Sequence, residues 1–563
     1  MFTRVSQFQP IKQTVTPLRS VNQPISREHK VGTLVAPLNG LHTDIALASQ
    51  DEKDALEIVN FFVKPKGLEI RHGHQEWFDE LDSKAQTLLP FEGAGGSNSK
   101  LFAATLEGMY DVTTQTDNVS TPAKSLTFGT QGADVTSYWS HLNFSAAGTN
   151  YLCCVSPGNG YKTYDNAGGW VDHPAGVSAG EINGTSPTNF KIISQWKERL
   201  WMVKEDESTA WYLPVNSIAG AISEYDFGPM LEHGGSIAAI TSWTLDGGAG
   251  IDDLLVIIGK EGDVVVYQGT DPDSASTFAI VGKWYIGKVP ENDRFFTNFG
   301  GDLWILSESG MVSMARLLKG EPAERATAAS QGGPEQTQDF QRINGKLAEL
   351  ISAYHADKGW QMMYVPKVES VIVKPPANNP SYADYMYVFH IHGKGWSTFE
   401  DLPCETLGVF NGQLFGTDST DEVYQHLTVA TDGADFSGTG GSIVDCRVRT
   451  GFTDLELPGV QKTFQMVAPL FVATDEPSVS LRVNTQFDQS TQAASPSYVA
   501  GTGAIWDTST WDNAVWAGGE ESYESWVGCE AVGYYGSLDM AVQGQPGTLF
   551  THWRAMVTLG GFL

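Results

Sequence analysis

DLLVIIGKEGDVVVYQG (253–269) decides the fold. Two apolar runs rich in Leu, Ile and Val flank a short Gly-Lys-Glu-Gly break, which reads as two antiparallel strands joined by a tight turn. The same phrase recurs as KLFAATLEGMYDV (100–112), RLWMVKEDESTAWYLP (199–214), DLWILSESGMVSM (302–314), YMYVFHIHGKGWSTF (385–399) and QLFGTDSTDEVYQ (413–425). Hairpins repeated at this spacing predict a β-propeller. Candidate blades centre near 80–120, 125–185, 190–235, 240–290, 293–320 with 340–365, and 370–426, which predicts six blades.

The 563 residues carry a formal net charge of −31, with only 18% of residues charged. This is a folded acidic chain, which excludes non-specific binding to DNA or to anionic lipid. Solubility alone explains the acidity. So does a passage in which like charge keeps DNA from sticking. The five cysteines, Cys153, Cys154, Cys404, Cys446 and Cys529, show no metal-ligand spacing and read as small core residues in a reducing compartment. The opening MFTRVSQFQPIKQTVTPLRS lacks the apolar run of a secretory leader, and no stretch reaches 18 apolar residues.

The fold expected is all-β and has three parts. Residues 1–53 form an extended N-terminal arm carrying Arg4, Lys12, Arg19, Arg27 and Lys30, candidates for assembly contacts. Residues 54–429 form the propeller, with long loops at 316–343 and 371–384. After the boundary DGADFSGTGGS (432–442), alternating runs such as FQMVAPLFVAT (464–474) and VSLRVNTQF (479–487) predict a C-terminal β-sandwich-like domain over 430–563.

Few residues suggest chemistry. His72 with His74, and His390 with His392, stand at period two on a strand, yet neither pair has a compelling third ligand, so no metal is expected. The acids of EDES (205–208), ENDR (291–294) and STDEV (419–423) sit at turns, where acids are ordinary. A glycosidase needs two carboxylates at a set separation, which a sequence does not reveal. No phosphate-binding loop, dinucleotide fingerprint or nucleophile elbow occurs, so neither an enzyme nor a cofactor is expected. Trp506, Trp511 and Trp516, with Asp507 and Asp512, form an aromatic cluster that fits packing, a subunit seam or glycan stacking.

ALEIVNFFVKPKGLEIRHGHQEW (55–77) resembles the opening phrase of tail nozzle proteins of short-tailed double-stranded DNA phages, also called tail tubular protein B. The matching positions are Asn60, Phe61, Phe62, Pro65, Gly67, Leu68, Arg71 and Gly73, with Phe61 where Trp is common and Val63 where Pro is common. WDTSTWDNAVWAGG (506–519) is similar to that family's Trp-Asp repeat. The resemblance implies a structural protein of the virion tail. It would be a homo-hexameric ring that contacts an adaptor ring and tail fibres and passes double-stranded DNA without binding it specifically. A glycan-binding or polysaccharide-degrading propeller is the alternative.

Overall fold

The computed structural model describes residues 29–118, 120–128, 137–246, 251–274, 276–320, 340–377, 384–490, 492–497 and 520–562. Nearly all regular structure is β. Among the described residues the α-helices are Met314–Leu318 and Asn344–Tyr354.

Each quoted hairpin forms. In the 253–269 phrase, Ile257 stands opposite Val265 and Ile258 opposite Val264. Gly262 closes the turn at φ 100°, and a Cβ there would stand 2.1 Å from the Gly287 carbonyl oxygen, so only glycine fits. The runs are apolar at nearly every position because both faces are covered. Val256, Ile258, Val264 and Val266 pack into one core, and Leu255, Ile257, Val265 and Tyr267 into another.

The expected six blades are present as six self-contained sheets. Four are antiparallel sheets of four strands each, from Thr87–Phe91 to Leu126–Thr127, Ser140–Ala146 to Gly169–Asp172, Phe190–Trp196 to Ser223–Asp226, and Ile237–Asp246 to Phe278–Tyr285. The fifth has three strands, from Phe296–Phe299 to Gly310–Ser313, and helix Asn344–Tyr354 packs its Leu347, Leu350 and Ile351 into the adjoining core. The sixth runs from Leu407–Phe410 to Val423–Val429 and takes its outer strand, Gly73–Phe78, from far earlier in the chain. That exchange ties the ring shut. Between the fifth and sixth sheets stands a further four-strand run, Gln361–Val365 to Gly395–Glu400, which continues sideways into the sheets of the C-terminal half.

Those sheets form a sandwich. One layer contains Phe61–Lys64, Gly67–Ile70, Leu549–Phe562 and Val460–Ala473; the other contains Asp54–Val59, Cys446–Thr450, Gly536–Gln543 and Ser478–Thr485. Ile58, Phe61, Leu68, Phe464, Leu538 and Trp553 share the core between them. Residues 54–70 therefore lie in the sandwich, and the ring begins at Gly73. Of the predicted arm, 1–28 lies outside the described residues. His29–Val35 pairs along Leu549–Phe562, and Leu34 and Ala36 are buried in the sandwich core, so this stretch is a docked strand. In the two predicted loops, Met314–Leu318 is helical and Ser370–Lys374 is a strand; 321–339 and 378–383 lie outside the described residues.

Adjacent thiols on one strand face opposite ways: Cys153 packs into one core and Cys154 into its neighbour. No helix among the described residues is long and apolar enough to cross a membrane.

Candidate ligand site at the centre of the ring

The inner strand of every sheet in the ring contributes to one central cavity of about 660 Å³. Its lining includes Pro90, Leu142, Gln195, Ser242, Asn298 and Val409, one residue from the inner strand of each of the six sheets, and Tyr364 from the further run Gln361–Val365. Leu142, Tyr364 and Val409 border the cavity while also packing against the inter-blade cores. Amides and hydroxyls alternate with apolar and aromatic surface. Asn298 Nδ2 donates to the Ser242 carbonyl at 3.3 Å, and Tyr364 packs on Phe299 with ring centroids 5.2 Å apart.

Arg294 spans one end of the cavity. It precedes the inner strand of the fifth sheet and reaches three other parts of the ring. Nη1 donates to Thr406 Oγ1 at 3.1 Å, and Nη2 donates to Thr87 Oγ1 at 2.9 Å and to the Trp139 carbonyl at 2.8 Å. Asn292, held at φ 149°, accepts the Arg294 N–H through Oδ1 at 3.1 Å and donates to the Trp360 carbonyl at 3.1 Å. Few L-residues adopt that backbone conformation, so the hydrogen bonds at both ends of the Asn292 side chain hold the segment against strain. Asp293 accepts the Ser140 hydroxyl, and Ser140 Oγ in turn accepts the Ile193 N–H at 3.0 Å. Gln361 accepts the Leu407 N–H at 2.8 Å, joining the last two inner strands.

Burial pulls the Arg294 guanidinium below its ordinary value, but an arginine remains cationic at any physiological pH. Burial first, and then the field of Arg294, push His141 down to about 3, so its imidazole is neutral. Asp293 is the one carboxylate lining the cavity among the described residues. The pair of carboxylates that glycoside hydrolysis ordinarily uses is not assembled there. What the lining offers is donors and acceptors, aromatic surface and a fixed positive charge.

The residues singled out from the sequence lie elsewhere. Asn60, Phe62, Arg71 and Gly73 are buried at the seam between ring and sandwich, Phe61 and Leu68 lie in the sandwich core, and Pro65 and Gly67 belong to the hairpin turn beside it. Gly67 is needed for close approach, since a Cβ would stand 2.3 Å from the Phe550 carbonyl oxygen. Lys30 is exposed on the edge strand of the sandwich. Arg4, Lys12, Arg19, Arg27, Trp506, Trp511 and Trp516 lie outside the described residues. The histidine pairs do not act as pairs. His74 is buried against Asp432 at 3.1 Å while His72 is exposed; His390 lies between Ser370 and Ser397 while His392 pairs with Glu369 at the surface. No group of three His, Cys, Asp or Glu suited to a metal ion occurs among the described residues. Sequence reasoning missed Arg294, which sits inside the ENDR (291–294) phrase taken for an ordinary acidic turn. No local signal marks it, because its partners come from phrases far away in the chain.

No family model matches the chain, and no curated protein does. Similar solved structures include the extracellular domain of a candidate one-component system from B. thetaiotaomicron, with 10% identity and a TM-score of 0.35 over 62% of this chain and 40% of that one. Another is the extracellular domain of a candidate hybrid two-component system from B. thetaiotaomicron, with 10% identity and a TM-score of 0.36 over 69% of this chain and 48% of that one. The chain thus spans less than half the length of either. These findings correct the resemblance to tail nozzle proteins. No nozzle family or curated tail protein matches, and these similar structures are extracellular domains of one- and two-component systems. The hexamer, adaptor ring, tail fibres and DNA passage rested on that resemblance and fall with it. The phrase at 55–77 marks the ring–sandwich seam of this fold.

Proposed function

We propose that the chain is a glycan-binding β-propeller, a binding module rather than an enzyme, which takes its ligand in the central cavity. The observation that carries this reading is the lining itself. Gln195, Ser242, Thr297 and Asn298 present amide and hydroxyl groups beside the aromatic rings of Phe296 and Tyr364. Sugars offer hydroxyl edges and apolar C–H faces, so a site that alternates hydrogen-bonding groups with aromatic surface complements them. A volume of about 660 Å³ falls within the roughly 300–1,000 Å³ of pockets that enclose a small ligand. The lining is mounted on strands locked into a closed ring, which keeps its geometry preorganised.

A glycan array probed with the purified protein tests the reading. Binding to a restricted set of oligosaccharides is expected, and it should be lost in Tyr364→Ala and in Gln195→Ala. An array with no bound glycan, or binding unaffected by both substitutions, contradicts it. Release of reducing ends from a bound polysaccharide would contradict the non-enzymatic part.

A further inference from the structure

Arg294 is the feature of the cavity that a neutral sugar leaves unused. Three of its five N–H groups donate to protein oxygens: two threonine hydroxyls and one backbone carbonyl. All three acceptors are uncharged. Among the described residues no carboxylate lies within ion-pair distance of the guanidinium. Its chain neighbour Asp293 accepts the Ser140 hydroxyl and reaches Arg294 only through its field. The remaining two N–H groups have no protein acceptor among the described residues. Arg294 is partly buried at the cavity wall, and neutral acceptors compensate a partly desolvated guanidinium only in part. Its field is felt nearby, since Arg294 helps to hold down both His141 and the buried Lys374.

Resting on the glycan-binding reading above, we propose that the ligand is an acidic oligosaccharide whose uronate carboxylate binds Arg294 at the end of the cavity. A charge-assisted hydrogen bond between guanidinium and carboxylate is about twice as strong as a neutral one. It would add a contacting countercharge to the field that Asp293 supplies without an ion pair. The same geometry limits the ligand's charge. Asp293 stands beside Arg294, and the chain as a whole carries −31, so a densely sulfated polymer would be repelled. One carboxylate placed at Arg294 is what the site accommodates.

The test compares short oligosaccharides of polygalacturonate, alginate and hyaluronan with their carboxyl-reduced forms, in which each carboxylate is a primary alcohol. Titration calorimetry on the full chain is expected to show the acidic form of one series binding about tenfold or more tighter than its reduced form. In Arg294→Gln the two forms should bind alike, and in Arg294→Lys part of the preference should survive. Equal binding of acidic and reduced forms to the wild-type chain would overturn the inference while leaving the glycan-binding reading intact. So would a preference that persists in Arg294→Gln. If neutral and acidic glycans all fail to bind, the glycan-binding reading itself fails. The wild-type comparison decides the matter even if Arg294→Gln does not fold.

Discussion

Arg71 grips Asp432, 361 residues away in the chain, through two parallel hydrogen bonds, Nη1 to Oδ1 and Nη2 to Oδ2, each 2.8 Å long. The guanidinium also donates through Nε to Asn60 Oδ1 at 2.9 Å and through Nη2 to the Glu400 carbonyl at 2.7 Å. Asn60 stands in the sandwich at φ 62°, Glu400 ends a ring strand, and Asp432 follows the last strand of the sixth sheet. One buried side chain therefore ties the ring to the sandwich. Removing a single partner strands a buried charge, which costs about 3–5 kcal/mol. Arg71→Met and Asp432→Leu are each expected to lose stability on that scale in urea unfolding, and the double variant much less than their sum. Additive losses would show that the pair is not coupled.

Gly73 lies against the same junction. A Cβ there would stand 1.9 Å from the Thr431 carbonyl oxygen and 2.2 Å from its carbon. Backbone has to move to admit one methyl group. Gly73→Ala is expected to destabilise the chain by about 1–3 kcal/mol, measured as a lower urea midpoint, and to loosen the strand that closes the ring. An unchanged midpoint would mean that the strand is not held there.

Acid is expected to weaken the fold through two buried histidines. His390 sits between Ser370 and Ser397, and His426 donates to the Pro403 carbonyl at 2.8 Å. Burial pushes each down to about 3 from 6.5. Their folded pKa values lie below the unfolded ones, so the neutral rings contribute stability that is complete above about pH 6.5 and lost as pH falls toward 3. Each histidine costs about 1.4 kcal/mol per pH unit through that window. Urea midpoints should fall steadily between about pH 7 and pH 5, and His390→Gln should flatten the slope. A flat profile in the wild-type chain would contradict the assignment.

The thiols are expected to be inert in the folded state. Cys153, Cys154, Cys404 and Cys446 are buried, and burial pushes Cys153 and Cys404 up to about 12. Cys529 is half-buried and pushed up to about 11. A thiol reagent should react slowly with Cys529 alone in the native protein and with all five cysteines in denaturant. Rapid native reaction at Cys153 or Cys404 would contradict the packing described.

The ring was legible in the sequence because its hairpins are local. Runs such as 253–269 are apolar at nearly every position since blades cover both faces, and turn residues punctuate them. The sandwich was only half legible. Its alternating C-terminal strands show, but Phe61–Lys64 and Gly67–Ile70 join strands nearly 500 residues away, and no local pattern records that pairing. The phrase at 55–77 stands out for a physical reason: it packs a positive-φ Asn60, a fully buried Arg71 and a glycine without room for a Cβ into one junction. That chemistry belongs to the seam and does not identify a tail protein. The cavity was not legible at all, since its lining is drawn a few residues at a time from inner strands spread along the chain.

A crystal structure of the chain with the tightest-binding acidic oligosaccharide tests the central claim most directly. The account predicts sugar density in the central cavity, with a carboxylate oxygen within hydrogen-bond distance of Arg294 and a sugar face on Tyr364. Sugar bound on the outer face of the ring or on the sandwich, with the cavity holding only water, would contradict it.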